Sequence, residues 1–471
     1  MSEAQPIPDA PDFVPPVPAF PCMEFPADTR HARLLGIYPQ RQEGRFMQRV
    51  RIPGGILSAD QWRALAAIAR RLTPGAPLHL TTRQDIELHD LSAGDVPIAQ
   101  QLLAQADMTS LGAGGDTLRN IVVCPCSAGG TGQTPDLLRL RREIAYALTE
   151  WKAVFSLPRK FKISLGCEQG CGRPFIHDLA FVAIRRDGQW GLKVIAAGSL
   201  GPRPELGILL LDWIDPVEAV PLSIAAVRLF AREGDRRNRA KARLRHVRLR
   251  MGDDAFRSAL KQEFDVAKAE RFWPSMGLKV AAPAGIVKRV LTFPNGDVTP
   301  DAACALAGVA MRPGFSVRIG SDHRVSVLAP DDVFIDAQLQ DPALPASNAG
   351  KHANVVACPG TRWCSRALAD TNNLADRIRA ALSGQADTGL TIAVSGCPNG
   401  CAGSAVADIG LLGGRSSADG QPVEKYTILS GGGKGATNVL AQPVASGVTA
   451  DQALTEVIRL AKSLANEPRG V

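Results

Sequence analysis

The sequence predicts an α/β chain, with α+β segregation of some elements, folded as a pseudo-two-fold duplication in the order A-B-A′-B′. Three observations carry this. The stretch Gly55-Ile-Leu-Ser58-Ala59-Asp60-Gln-Trp-Arg-Ala-Leu-Ala66 resembles Gly296-Asp-Val-Thr299-Pro300-Asp301-Ala-Ala-Cys-Ala-Leu-Ala307, and Pro74-Gly75 recurs as Pro313-Gly314. At a slightly smaller offset, Asn120-Ile-Val-Val-Cys124-Pro125 matches Asn354-Val-Val-Ala-Cys358-Pro359, and Lys162-Ile-Ser-Leu-Gly-Cys167-Glu-Gln-Gly-Cys171 matches Ile392-Ala-Val-Ser-Gly-Cys397-Pro-Asn-Gly-Cys401. Helical and strand patterns alternate throughout.

Residues 1–30 hold eight prolines and five acids against one arginine, which predicts an extended arm rather than a signal or transit peptide. Unit A is expected at 31–110, B at 111–271, A′ at 272–345 and B′ at 346–471. In each A unit a Ser or Thr, with Asp two residues on, precedes an apolar periodic run, the signature of a helix start. Alternating residues at 78–88 and 317–328 then read as strands. The A units should pack together, and a site should lie where A, B and B′ meet.

Four cysteines in B′ carry the strongest chemical signal, Cys358-Pro-Gly-Thr-Arg-Trp-Cys364 and Cys397-Pro-Asn-Gly-Cys401. Zinc sites usually space paired ligands more closely, whereas thiolates in two wrapping loops suit a cubane iron–sulfur cluster. The ten cysteines fall mostly into C-x-C, C-x5-C and C-x3-C groups, which points to metal chemistry in a reducing cytoplasm.

At 471 residues, 45% hydrophobic and 21% charged, the chain reads as a soluble, multidomain globular protein. No apolar stretch approaches the length of a membrane span, so no membrane association is expected. A net charge of +8 favours an acidic partner or an anionic ligand. Nine of the residues at 232–250 are Arg or Lys, and Ala240, Leu244, Val247 and Met251 recur at helical spacing, which predicts an amphipathic helix with a basic face. That face is either solvated or holds anions; nothing resembles a nucleic-acid module.

Taken together these residues resemble the sirohaem-dependent sulfite and nitrite reductases, whose cluster motif is C-x5-C…C-x3-C. The resemblance covers nearly the whole chain after the arm. It includes Glu43-Gly-Arg-Phe-Met-Gln-Arg-Val-Arg-Ile-Pro-Gly54, Leu80-Thr-Thr-Arg83-Gln84, Arg119-Asn120 and Leu157-Pro-Arg-Lys160-Phe-Lys162. It implies the nitrite/sulfite reductase fold, with ferredoxin-like half-domains at A and A′ and cofactor domains at B and B′. It also implies a [4Fe-4S] cluster held by Cys358, Cys364, Cys397 and Cys401, and a sirohaem, an iron isobacteriochlorin with eight carboxylates, bridged to the cluster by Cys401. Arg83, Arg119, Lys160 and Lys162 match the family's substrate-side cations, and Arg83 and Arg119 would also meet the cofactor.

The chemistry fits such residues, because six-electron reduction of an oxyanion needs an electron entry, cationic grips and proton donors. Crowding should lower the lysine pKa values. Lys160 and Lys162 lie two apart in an apparent strand and so share a face, with Phe161 and Ile163 turned inward; alone, such a pair would read as a charged strand edge. Arg83 alone would read as a polar strand residue. Lys162 favours sulfite over nitrite, since many nitrite-type members carry Asn there and added charge suits a dianion. The expected activity is therefore reduction of sulfite to sulfide, with nitrite to ammonia as the alternative. Precorrin-3B synthase, an oxygenase with similar cluster cysteines, is an alternative of a different class.

No flavin or nicotinamide fingerprint occurs, and Gly431-Gly-Gly-Lys434-Gly lacks phosphate-loop spacing. Electrons should come from a separate acidic donor, a ferredoxin or a flavoprotein subunit, docking on basic residues of the 232–250 run that the sirohaem carboxylates do not use. Cys124, Cys126, Cys167 and Cys171 partly mirror the cluster ligands. They are either buried small hydrophobes and relics of duplication or a second iron–sulfur or other metal site. Cys22 and Cys304 are expected to be structural.

Overall fold

The computed structural model describes residues 16–125, 136–167, 173–270, 287–330, 332–347, 353–383, 389–418, 421–433 and 439–465. In unit A, helix Ala59–Leu72 starts at Ser58, whose hydroxyl accepts the Gln61 N–H while the Gln61 side chain accepts the Ser58 N–H. In A′, helix Pro300–Ala310 starts at Thr299, whose side chain accepts the Ala302 N–H. The two helices pack on each other, and one apolar core takes residues from both units, Leu65, Ala66 and Leu80 with Leu306, Val317 and Val327. Burying that shared face is what joins the halves.

The stretches at 78–88 and 317–328 fold as hairpins rather than simple strands: Leu78–Leu80 turns into Ile86–Leu91, and Ser316–Ile319 turns into Arg324–Ala329. Arg83 therefore sits in a turn, not on a strand. The five-stranded sheet of A runs Ile37–Pro39, Phe46–Val50, Ile86–Leu91, Leu78–Leu80, Asp297–Val298. Its last strand comes from the second half, with Asp297 opposite His79 and Val298 opposite Leu78. Reciprocally, Ile56 of the first half bridges Arg318 of the second.

The B sheets are copies of one topology. B runs Val122–Val123, Ile163–Cys167, Leu179–Arg186, Gln189–Ala196, Ile208–Ile214, and B′ runs Asn354–Ala357, Thr391–Ser395, Ile409–Ala418, Gln421–Ser430, Gln442–Val448. In both, the first two pairings are parallel and the next two antiparallel. Parallel neighbours end on one side, so the segments after the first two strands of each sheet meet at a shared carboxyl edge, where open α/β sheets bind ligands. Among the described residues no helix is long and apolar enough to cross a membrane.

The basic run corrects the sequence expectation. Helix Ala219–Glu233 ends just inside it and the next helix spans only Leu244–Met251. Asp235 explains the gap, because its carboxylate accepts the N–H groups of Arg237 and Asn238 and turns the chain. Most of the run's cations are spent within the protein. Arg232 pairs with Glu233 and Glu263, Arg239 with Asp116, Arg243 with Asp178, Arg248 with Glu205 and Asp253, and Arg250 with Glu233. They therefore do not lie along one amphipathic helix with a continuous basic face.

Candidate active site at the junction of the repeats

Cys358 and Cys397 lie just past the carboxyl ends of the first two B′ strands, and Cys358 N–H donates to Val394 O at 3.0 Å. One turn of helix, Gly360–Trp363, carries the chain to Cys364. Gly360 has φ +55°, and a Cβ there would lie 2.2 Å from Thr371 Oγ1, so only glycine fits. Thr371 Oγ1 donates to Cys358 O at 2.6 Å, and Gly396 N–H points at Cys358 Sγ at 3.2 Å. Unit A supports the loop from below: Gln40 bridges Cys364, Arg41 N–H donates to Trp363 O, and the Arg41 guanidinium donates to Ala367 O.

The four sulfurs feel one another. Burial first, and Cys401 next, push the Cys358 thiol up to about 12, and burial also raises Cys364 and Cys397, with Cys401 adding to both. Such thiols need bound iron to displace their protons. Among the described residues no three His, Cys, Asp or Glu groups close on a single ion. A cubane differs in that each sulfur takes a different iron, so its ligands stand farther apart than those of one ion.

Opposite the cysteines stands the Arg83 turn. Thr82 Oγ1 donates to Cys401 O at 3.0 Å, tying the turn to the C-x3-C loop. Gln84, fully buried at φ +61°, donates to Val123 O and Ile319 O and accepts the Val123 N–H, clamping the turn between B and A′. Arg83 then reaches into B: one terminal nitrogen lies 3.1 Å from His177 Nε2 and the other donates to Asn120 O. Its Nε is buried without a partner. Burial, together with Arg119 and Arg243 and against Asp85, lowers Arg83 to about 9.

Phe161 bridges Leu118 and is fully buried, and the strand proper begins at Ile163, one residue beyond Lys162. The inward turn of Phe161 and Ile163 holds even so, with the lysines on the other side. Burial, then Arg243 and Arg119, lower Lys160 to about 7; burial, then Arg83, Lys160 and Arg243, drive Lys162 well below the usual lysine range. Arg119 is close to Lys160, yet its guanidinium turns onto the carbonyls of Ala113 and Gly115. The quartet is thus brought together, with Arg119 facing its own loop.

Three members of this cluster were not legible in the sequence. Asp178, with no exposed side chain, accepts the Lys162 N–H at 2.8 Å and a two-pronged contact from Arg243. His177 meets Arg83. Arg243 is a fifth cation, hidden in a run that read as surface. None belongs to a spaced motif, and Asp178 and Arg243 are 65 residues apart.

The first-half cysteines are only partly described. Cys124 N–H donates to Leu165 O at 2.8 Å, as Cys358 does to Val394 in B′. Cys124 is disulfide-bonded here and its sulfur lies 3.6 Å from Cys167 Sγ. Cys126 and Cys171 lie outside the described residues.

Residues 38–106 match the nitrite/sulfite reductase ferredoxin-like half domain, and residues 114–268 and 348–465 match the nitrite and sulphite reductase 4Fe-4S domain. The chain belongs to the nitrite and sulfite reductase family. It is 31% identical over 457 residues to a ferredoxin–nitrite reductase of Synechococcus elongatus, covering 92% of this chain and 89% of that one. It is 30% identical over 480 residues to an assimilatory ferredoxin-dependent nitrite reductase of Haloferax mediterranei, covering 92% and 82%. The solved NirA protein of Mycobacterium tuberculosis shares the fold, with TM-score 0.80 at 23% identity, covering 94% of this chain and 89% of that one. The family's cofactors, a [4Fe-4S] cluster and a sirohaem, are those of this chain. The residues present suit both: four converging thiols could hold the cluster, and the orphaned Arg83 Nε among buried cations could meet an anionic ligand.

Proposed function

We propose that this reductase converts nitrite to ammonia, with electrons supplied by a ferredoxin. The observation that carries the reading is the similarity along nearly the whole chain to proteins named ferredoxin–nitrite reductases. The preference for sulfite rested on Lys162 standing where many nitrite-type members carry Asn and on its added charge; burial, then Arg83 and Lys160, weaken the second of these. A lysine held well below its usual range carries its charge less readily, and so favours a dianion less.

In this reading Cys358, Cys364, Cys397 and Cys401 would hold the cluster, and when bound the cluster and sirohaem would supply the electrons. The protein's own part is to hold the anion and deliver protons as its oxygens leave as water. Arg83 grips the anion through a buried guanidinium, where charge-assisted bonds are strong. Lys160, near 7, is poised to give up a proton at neutral pH. Lys162 stands beside it as a second amine, lowered by burial and by Arg83 and Lys160. The test is steady-state turnover of purified, cofactor-loaded enzyme with reduced ferredoxin on both substrates. We expect kcat/KM for nitrite to exceed that for sulfite by at least tenfold, with ammonia as the product; the reverse order would return the sulfite assignment.

A further inference from the structure

The seam between units A and B gathers cations that the reaction does not use. A cavity of about 410 Å³ opens there, lined from A by Arg51, Asp107 and Thr109 and from B by Asp136, Arg141 and Arg142. Asp136 caps helix Leu137–Glu150 by accepting the Arg139 N–H at 3.0 Å, and Arg141 and Arg142 follow in the same helix. The N-terminal end of a helix is unfavourable for cations, and the first turn of this one holds no acid.

Neither Arg141 nor Arg142 has a hydrogen-bond or ion-pair partner among the described residues. The Arg51 side chain meets only carbonyls, Leu111 O at 3.4 Å and Arg119 O at 3.3 Å, and a guanidinium with five N–H groups keeps donors to spare. Burial, then Arg51 and Arg142, lower Arg141 to about 10, so the charges that bear most on it are cations rather than Asp107 or Asp136. Burial lowers Arg51 too, against Asp85 and together with Arg119. The sequence offers no local relief, because residues 126–135, just before Asp136, contain no Asp or Glu. Arg83, Lys160 and Lys162 do not line this cavity, so it is separate from the cluster of cations described above.

Guanidinium groups match the oxygens of tetrahedral anions in pairs, and several together outweigh the loss of water. We propose that the cavity is a binding site for a small tetrahedral dianion of the phosphate or sulfate kind, gripped by Arg141 and Arg142 from B and by Arg51 from A. A ligand held from both sides ties the two units together, so its binding adds to stability. The site does not depend on which anion is reduced at the sirohaem.

The test is isothermal titration calorimetry of the cofactor-loaded enzyme at saturating nitrite, with inorganic phosphate, sulfate or chloride added at one ionic strength. We expect phosphate or sulfate to bind one per chain and raise the melting temperature, chloride to do neither, and the sirohaem absorption bands to stay unchanged. Binding of one dianion and not the other names the source. The double variant Arg141→Gln with Arg142→Gln should weaken this binding at least tenfold and abolish the rise in melting temperature. Arg71→Gln with Arg185→Gln removes two exposed cations elsewhere and should leave the affinity within twofold of the parent. No binding of either dianion, unchanged affinity in the Arg141 and Arg142 variant, or equal weakening in both double variants overturns the proposal. Loss of sirohaem from the Arg141 and Arg142 variant would show that a cofactor carboxylate fills the cavity, and overturns it as well. Arg142→Gln alone, at an exposed position, is read the same way should the double variant fail to fold.

Discussion

Single side chains set the electrostatics of this protein as much as its motifs do. His323 is buried, at φ +63°, with Nδ1 unpartnered, and burial together with His79 pushes it down to about 3. An unfolded histidine titrates near 6.5. Between roughly 3 and 6.5 the unfolded chain therefore binds the extra proton, so stability rises with pH through that window and is lost as pH falls. His323→Asn, which tolerates a left-handed backbone, should flatten this limb by at most about 1.4 kcal/mol per pH unit; melting temperatures of the apoprotein across pH 4 to 7 check it. At this scale the sequence was legible where a motif spoke and silent elsewhere. Arg83, Lys160 and Lys162 could be named from their motifs, but the lowering of Lys162 comes from burial first and then from Arg83, Lys160 and Arg243, and burial and the nearness of Arg83 and Arg243 exist only in the fold.

Among the elements, the Arg83 turn shows why local signals were incomplete. Turns are usually announced by Gly, Asn, Asp or Pro, and here a glutamine takes the left-handed position because its side chain is repaid by three buried hydrogen bonds. Gln84→Leu would leave the Val123 N–H and two carbonyls unsatisfied, costing on the order of 3 kcal/mol or more, and would release Arg83. We expect a lower melting temperature and at least a tenfold fall in kcat/KM for nitrite with cofactor content unchanged. The helix starts at Ser58 and Thr299 were legible because capping is local. The 232–250 run folds as a turn and a short helix rather than one amphipathic helix, and its charge pattern does not reveal that acids from other elements, Asp116, Asp178 and Glu205, pair with it. Gly360→Ala should place its methyl against Thr371 Oγ1 and lower non-haem iron per chain, assayed on the purified protein.

Across the whole molecule, the duplication was legible and its wiring was not. Matching segments revealed two copies, but no short-range pattern records that Asp297–Val298 completes the first half's sheet while Ile56 reaches the second. The shared core has an energetic consequence: a fragment ending at residue 270 would expose Leu65, Ala66 and Leu80, which A′ helps to bury. Such a fragment should lack a cooperative thermal transition, and regain one when the remainder is supplied in trans; circular dichroism melts of the separate and mixed fragments decide this.

The reciprocal strand exchange also bears on ancestry. Two equivalent halves, each lending an edge to the other about a common axis, have the closed geometry of a swapped homodimer. A single ancestral half would have needed a second copy to cover its edge, and every site in that pair would have existed twice. Held in one polypeptide, the two copies are free to differ: one carries the C-x5-C loop, while the other carries the cations around Arg83. Halves of one topology thus supply the two unequal sides of a single site.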